Sequence, residues 1–254
     1  MKTALITGAT SGIGYATAKL LASTKNYKLI LCGRRLNKLV QLQKELRELS
    51  DYQIHILNFD IQNFSECQDA LNSLPENFQT IDILINNAGL ALGLDLLHVG
   101  SLEHWNTMID TNIKGLLHMS KLVSAKMVNQ KSGHIVNICS TAGKDVYPKG
   151  NVYCATKFAV DALTKSMRQD LVNFNIRVSQ VAPGHVEETE FAITRFEGDK
   201  LKANIYSDFK PLKAIDVAET ILFIISRPAH VNIQDILITC TQQASATLIN
   251  RSGR

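Results

Sequence analysis

Residues 3–23 read TALITGATSGIGYATAKLLAS. A short β-rich apolar run, TALITG at 3–8, passes through the turn TGATSGIG at 7–14 directly into YATAKLLAS, whose apolar residues recur at helical spacing. Gly8, Gly12 and Gly14 permit a tight turn and close backbone approach, while the start of the helix aims free N–H groups and positive partial charge at whatever lies there. A pyrophosphate suits that place. The spacing G-x-x-x-G-x-G departs from the commoner G-x-G-x-x-G, and an ordinary glycine-rich strand-to-helix turn would satisfy it too.

Outward from this unit the alternation continues. YKLILCG, IHILNF, IDILINN, GHIVNICS, IRVSQVAPG and DILIT join TALITG as seven predicted strands. The segments at 12–23, 35–50, 63–74, 101–129, 152–174 and 214–226 carry apolar residues every three to four positions with charges between them. Strands separated by helices imply an α/β fold: a doubly wound, Rossmann-type, seven-stranded and mostly parallel sheet with helices on both faces. Ligands of such sheets bind beyond the carboxyl ends of the strands, where strand order reverses. No linker-like or repeated stretch divides the chain, so residues 1–254 are expected to form a single domain.

Composition narrows the partners. Hydrophobic residues at 45% and charged residues at 20% fit a globular chain. The net charge of +4 comes from bases scattered among acids, which argues against a nucleic-acid surface. Cys32, Cys67, Cys139, Cys154 and Cys240 are odd in number, lie mostly in apolar runs and include no C-x-x-C pair. Buried free thiols in a reducing compartment are expected, rather than disulfides or a metal site. MKTALITG reaches its glycine too early for a signal peptide, and runs such as ETILFIIS are too short to span a membrane, which points to the cytoplasm.

The second predicted strand ends in LCGRR. A grip on the ribose of NAD would need Asp or Glu here, but Gly33, Arg34 and Arg35 stand there instead. Guanidinium forks match the 2′-phosphate of NADP, so NADP is expected ahead of NAD. Either arginine could instead begin the next helix in solvent, Arg35 more readily than Arg34.

In NVYCATK, residues 151–157, Tyr153 and Lys157 stand one helical turn apart and share a face. A free phenol titrates at about pH 10, too high for efficient proton transfer near neutrality, and a neighbouring ammonium lowers it. Any helix with a half-buried tyrosine and a solvated lysine matches Y-x-x-x-K. Position adds meaning: the pair follows the fifth predicted strand, Ser140 ends that strand in NICSTAG, and Asn112 lies in DTNIKG on the preceding helix.

This ordered set resembles the short-chain dehydrogenase/reductase family over essentially the whole chain. The resemblance implies cofactor contacts from Gly8, Thr10, Ser11, Gly12, Ile13 and Gly14, from Arg34 and Arg35, and from Asp60 in NFDI at the adenine. It adds Asn87, Ala88 and Gly89 of NNAG, and Pro183, Gly184 and Val186 around APG. Asn112, Ser140, Tyr153 and Lys157 fall on the catalytic positions. In that scheme Ser140 orients the substrate oxygen and Tyr153 moves its proton. Lys157 holds the nicotinamide ribose and lowers the tyrosine pKa, and Asn112 positions a water that links Lys157 to solvent. Thr189 either grips the carboxamide or a cofactor phosphate, or caps a helix. Ser11 stands where many NADP-using relatives carry Arg or Lys, which leaves more to Arg34 and Arg35. Relatives are commonly tetramers, so a homotetramer is expected.

PGHVEETEFAITRFEGDK, residues 183–200, with SRPAHVNIQDILIT and QQASATLINR beyond it, is similar to the NADP-dependent 3-hydroxy acid dehydrogenases of bacteria and yeast. Those enzymes oxidise serine, allo-threonine and related acids. Residues 184–210 then form the substrate loop, where Arg195 could meet a carboxylate or simply be an exposed helix arginine. Tyr147 and His185, with Ser140, complete the expected pocket. Two rivals stand beside this reading. One is a carbonyl reductase for a steroid, pterin, sugar or acyl thioester. The other is a non-catalytic NADP-binding sensor, which would need the glycine loop and arginines but not the four catalytic residues.

Overall fold

In the computed structural model, which describes residues 1–49 and 53–253, β1 (Lys2–Thr7) leads through the glycine loop into α1 (Gly12–Ser23). The unit repeats as β2 (Tyr27–Gly33), α2 (Leu36–Leu49), β3 (Ile54–Asn58), α3 (Phe64–Asn72) and β4 (Ile83–Asn86). Then come α4 (Leu102–Ile109), α5 (Leu116–Gln130), β5 (Gly133–Ile138), α6 (Asn151–Leu171) and β6 (Ile176–Pro183). The expected helix end at residue 50 lies outside the described residues.

After β6 the chain makes an excursion. β7 (Val186–Glu187), α7 (Phe191–Arg195), α8 (Lys200–Ala203) and β8 (Leu212–Lys213) precede α9 (Ala214–Ile225) and β9 (Asp235–Ile238). β7 pairs with β8, so the excursion returns to its own base.

The main sheet runs β3-β2-β1-β4-β5-β6-β9, and every neighbouring pair is parallel. Alternating side chains of each strand face opposite layers. Ala4, Ile6, Leu29, Leu31 and Ile85 join Leu21 of α1, Leu42 of α2 and Ile221 of α9. Leu5, Ile30, Leu84 and Val178 join Cys67 of α3 and Met119 and Val123 of α5 on the other side. Both faces are therefore covered, which is why the strands read as nearly unbroken apolar runs. Each fully buried Leu or Ile contributes about 1.5–3 kcal/mol, so Leu31→Ala would cost about 2–5 kcal/mol.

One predicted helix is not uniform. The stretch expected at 101–129 is α4 and α5 joined by a π-helical turn, Asp110–Gly115. All five cysteines are buried and unpaired. Among the described residues no helix is long and apolar enough to cross a membrane.

Candidate active site

Strand order reverses between β1 and β4: the chain works outward through β2 and β3 on one side and through β5, β6 and β9 on the other. A cleft of about 580 Å³ opens there, beyond the carboxyl ends of the strands.

One wall is the glycine loop. Gly8 sits at φ +64°, and a Cβ on Gly14 would come within 2.4 Å of Asn87 Nδ2 and Gly8 O. Asn87 fills that space and donates to the carbonyls of Thr7 (2.9 Å) and Gly8 (3.1 Å). Ser11 is the extended N-cap of α1, yet its side chain makes no cap bond, and the first turn holds no acid. The N–H groups of this helix start are therefore left for an anion.

At the end of β2, Arg35 donates through Nη2 to Thr10 Oγ1 (2.9 Å) and Ser11 Oγ (3.2 Å), and its Nη1 lies 2.7 Å from Glu190. Arg35 is thus the engaged base of the pair. Arg34 is the more exposed, 3.4 Å from Asp60, which reverses the ranking expected from sequence. Two guanidiniums, two hydroxyls and a bare helix start fit a 2′-phosphorylated dinucleotide.

Opposite, α6 presents Tyr153 and Lys157. Tyr153 is 7% exposed, its ring edge-on to Phe191 at 5.6 Å, and Ser140 lines the cleft with it. Ser140 Oγ accepts from Ala142 N at 3.1 Å, which fixes the end of β5. Lys157 is buried, donates to the Ile138 carbonyl at 2.9 Å and stands 5.9 Å from the Tyr153 ring centroid. Asn112, in the π-helical turn, spends its amide protons on Leu90 O (2.8 Å) and Thr156 Oγ1 (3.1 Å) and accepts from Leu90 N (2.9 Å). Gly89 lies between: a Cβ there would stand 3.2 Å from Asn112 Oδ1 and 3.6 Å from Lys157 Nζ.

The expected lowering of the tyrosine pKa is not met in this chain by itself. Burial pushes the Tyr153 phenol up and Tyr147 adds to the rise, while the Ser140 hydroxyl and the Arg195 charge pull it down. Lys157 is itself pushed down by burial. Two ionisable groups taken from water together each resist charging, and that outweighs their mutual attraction.

Arg195 is not the exposed helix arginine of the alternative reading. It is 7% exposed, and its guanidinium lies 5.5 Å from the Tyr147 ring centroid and 5.6 Å from that of Tyr153. No carboxylate among the described residues lies within ion-pair distance of it, in contrast to Arg34, Arg35 and Arg251. Thr189 lines the cleft beside Gly12 and accepts from Phe191 N at 3.3 Å, a cap-like bond at the start of α7. His185 packs edge-on to Tyr206 and Phe209, and burial pushes its pKa down.

Ile13, Asp60, Ala88, Pro183, Gly184 and Val186 also line the cleft, so sequence and structure converge on one place. Not read from the sequence were Glu190, Phe191 and Arg251, which line the cleft, and Lys38, which pairs with Glu190. The nearness of Arg35, just before α2, to Lys38 in the first turn of that helix was readable. The approach of Glu190, 152 positions from Lys38, was not.

Comparison with known proteins agrees with this geometry. The pattern of the short chain dehydrogenase family matches residues 2–200. The NADP-dependent 3-hydroxy acid dehydrogenase of Schizosaccharomyces pombe is 40% identical over 251 residues, 98% of this chain and 96% of that protein. The enzyme of the same name from Escherichia coli K12 is 41% identical over 245 residues, 96% of this chain and 97% of its own. Serine dehydrogenase in its closed form with NADP+ superposes with a TM-score of 0.92 at 41% identity, covering 97% of this chain and 98% of that one.

Proposed function

Since the chain belongs to the short-chain dehydrogenase family, we propose that it is an NADP-dependent oxidoreductase that interconverts a small 3-hydroxy acid, of the serine or allo-threonine type, with its keto form. The observation that carries the substrate class is Arg195: a buried guanidinium without a carboxylate partner among the described residues, held over the tyrosine that would move the proton. A 3-hydroxy acid brings a carboxylate to it and a hydroxyl to Ser140 and Tyr153. Tyr147, its ring centroid 5.5 Å from the Arg195 guanidinium, and His185 complete that end of the cleft.

The glycine loop, Gly8 to Gly14, and the start of α1 hold the pyrophosphate. Arg35 and Arg34 hold the 2′-phosphate with Thr10 and Ser11, and Asp60 faces the adenine. Asn87, Ala88, Gly89, Pro183, Gly184, Val186 and Thr189 flank the nicotinamide half with Lys157. Bound NADP supplies the hydride acceptor, and in the reverse direction the donor. Ser140 orients the substrate oxygen, Tyr153 takes or gives its proton, and Lys157 and Arg195 bring positive charge that favours the phenolate. Asn112 braces the Leu90 loop beside Lys157, and the water it would position links that lysine to solvent.

Residues 184–210 are the substrate segment of one domain, 1–254. Five buried free thiols support a reducing cytoplasm. Exposed Phe223 on α9 and Leu237 on the edge strand β9 support association into a homotetramer.

The test is absorbance at the reduced-nicotinamide band with NADP or NAD and a panel of serine, allo-threonine, 3-hydroxybutyrate-type acids and bulky alcohols. Turnover of the small acids with NADP, lost in Tyr153→Phe, is expected. Turnover of bulky alcohols alone would discard the substrate class.

A further inference from the structure

The excursion between β7 and β8 crosses the cleft and is fastened at both ends of α7. At the C-terminal end Arg195 and Gly93 bond each other through backbone and side chain. At the N-terminal end Glu190 reaches two bases on the far wall: its Oε2 lies 2.7 Å from Arg35 Nη1 and its Oε1 2.6 Å from Lys38 Nζ. Burial works to raise the Glu190 pKa, but the Lys38 and Arg35 bonds prevail and hold it below the usual range. Between the two fastenings lie Phe191, edge-on to Tyr153, and the guanidinium of Arg195.

Resting on the functional reading above, the geometry points to Glu190 as a positioning residue: through Lys38 and Arg35 it latches α7 across the cleft and so holds Phe191 and Arg195 against Tyr153. Arg35 then serves two ends of the site. Its Nη2 faces Thr10 and Ser11 in the phosphate loop, and its Nη1 anchors the substrate segment. Glu190, Arg35 and Lys38 are each more than a third exposed, so the latch is weakened by salt and its loss is a matter of a few-fold.

The first measurement uses the full chain without cofactor or substrate. Lys200 and Lys202 are exposed in the latched segment, and trypsin cleavage there reports its opening. Glu190→Gln is expected to speed cleavage about threefold, Lys38→Gln less because the Arg35 pair survives it, the double variant no more than Glu190→Gln alone, and Glu190→Asp less than Glu190→Gln. In turnover, Glu190→Gln is expected to raise KM for the hydroxy acid about three- to tenfold with kcat within about twofold. Unchanged cleavage overturns the latch, and so do additive effects in the double variant. Faster cleavage with an unchanged KM overturns the positioning role. A wild-type protein that oxidises no 3-hydroxy acid would sink the functional reading instead, and the cleavage rates would still decide the latch.

Discussion

Gly93 and Arg195 exchange two hydrogen bonds, from Gly93 N to the Arg195 carbonyl at 2.9 Å and from Arg195 Nε to the Gly93 carbonyl at 3.1 Å. The guanidinium is thereby held 5.5 Å from the Tyr147 ring centroid and 5.6 Å from that of Tyr153, in the lining of the cleft. A charge-assisted bond to a substrate carboxylate is worth about 1.5–3 kcal/mol. Arg195→Leu is therefore expected to lower kcat/KM for serine about 10- to 100-fold and to affect an uncharged secondary alcohol far less. Arg195→Lys restores only part, since it lacks the fork and the Nε donor. Equal losses on both substrates would refute the carboxylate assignment.

Tyr153→Phe removes the phenol and leaves the ring against Phe191. Turnover is expected to fall at least about 10²-fold, while NADP binding, followed by nicotinamide fluorescence, stays within a few-fold. In the oxidative direction the deprotonated phenol is the active form, and burial holds this phenol up. The kcat/KM of the wild type should accordingly climb through the alkaline range rather than level off near neutrality.

Arg35→Ser is expected to raise KM for NADP about 10- to 100-fold and to leave KM for NAD nearly unchanged, because it removes a charged partner of the 2′-phosphate. Arg34→Ser, at the more exposed base, should cost less. A larger effect at Arg34 would restore the order read from sequence.

Behind the site, Asp161 of α6 accepts from Lys144, Lys165 and Gln180. Burial opposes its charge, but those three bonds bring its pKa down to about 2. A depressed carboxylate stabilises the fold above its unfolded pKa of about 3.9 and stops doing so as pH falls through the folded value. Urea unfolding should show Asp161→Asn about 2 kcal/mol less stable than wild type at pH 7, with the gap closing below about pH 4 and gone only below about pH 2. His134, pushed down to about 3 by burial and by the charges of Arg177 and Lys2, steepens the acid loss separately. The unfolded chain takes up its proton from about pH 6.5 downward while the folded chain does not.

The sheet was legible because buried parallel strands leave unbroken apolar runs, and YKLILCG became β2 without adjustment. The glycine loop, Ser140, Tyr153 and Lys157 were legible because each follows a strand or shares a helix face. Arg195 was read as part of a segment that lines the cleft, but its burial was hidden: a five-residue helix carries too little periodicity to declare which side faces inward. The Glu190 contact was hidden for a different reason. It joins segments that meet only after the whole sheet has formed, and no local pattern encodes that approach. The pKa of Tyr153 went the other way from expectation because spacing reveals neighbours and not the amount of water they lose.

The π-helical turn at Asp110–Gly115 has a further effect on the helix that contains it. A wider turn holds extra residue and advances everything beyond it by roughly 100° about the axis. Before the turn, Met108 packs with Tyr153 and Ala142 under the site; after it, Met119, Val123 and Met127 pack into the sheet. Deleting a single residue there would preserve the composition of both stripes and still swing one of them off its surface. The rod from 102 to 130 therefore runs in two phases, one set by the reaction and one by the core, and Asn112 stands at the joint where the first gives way to the second.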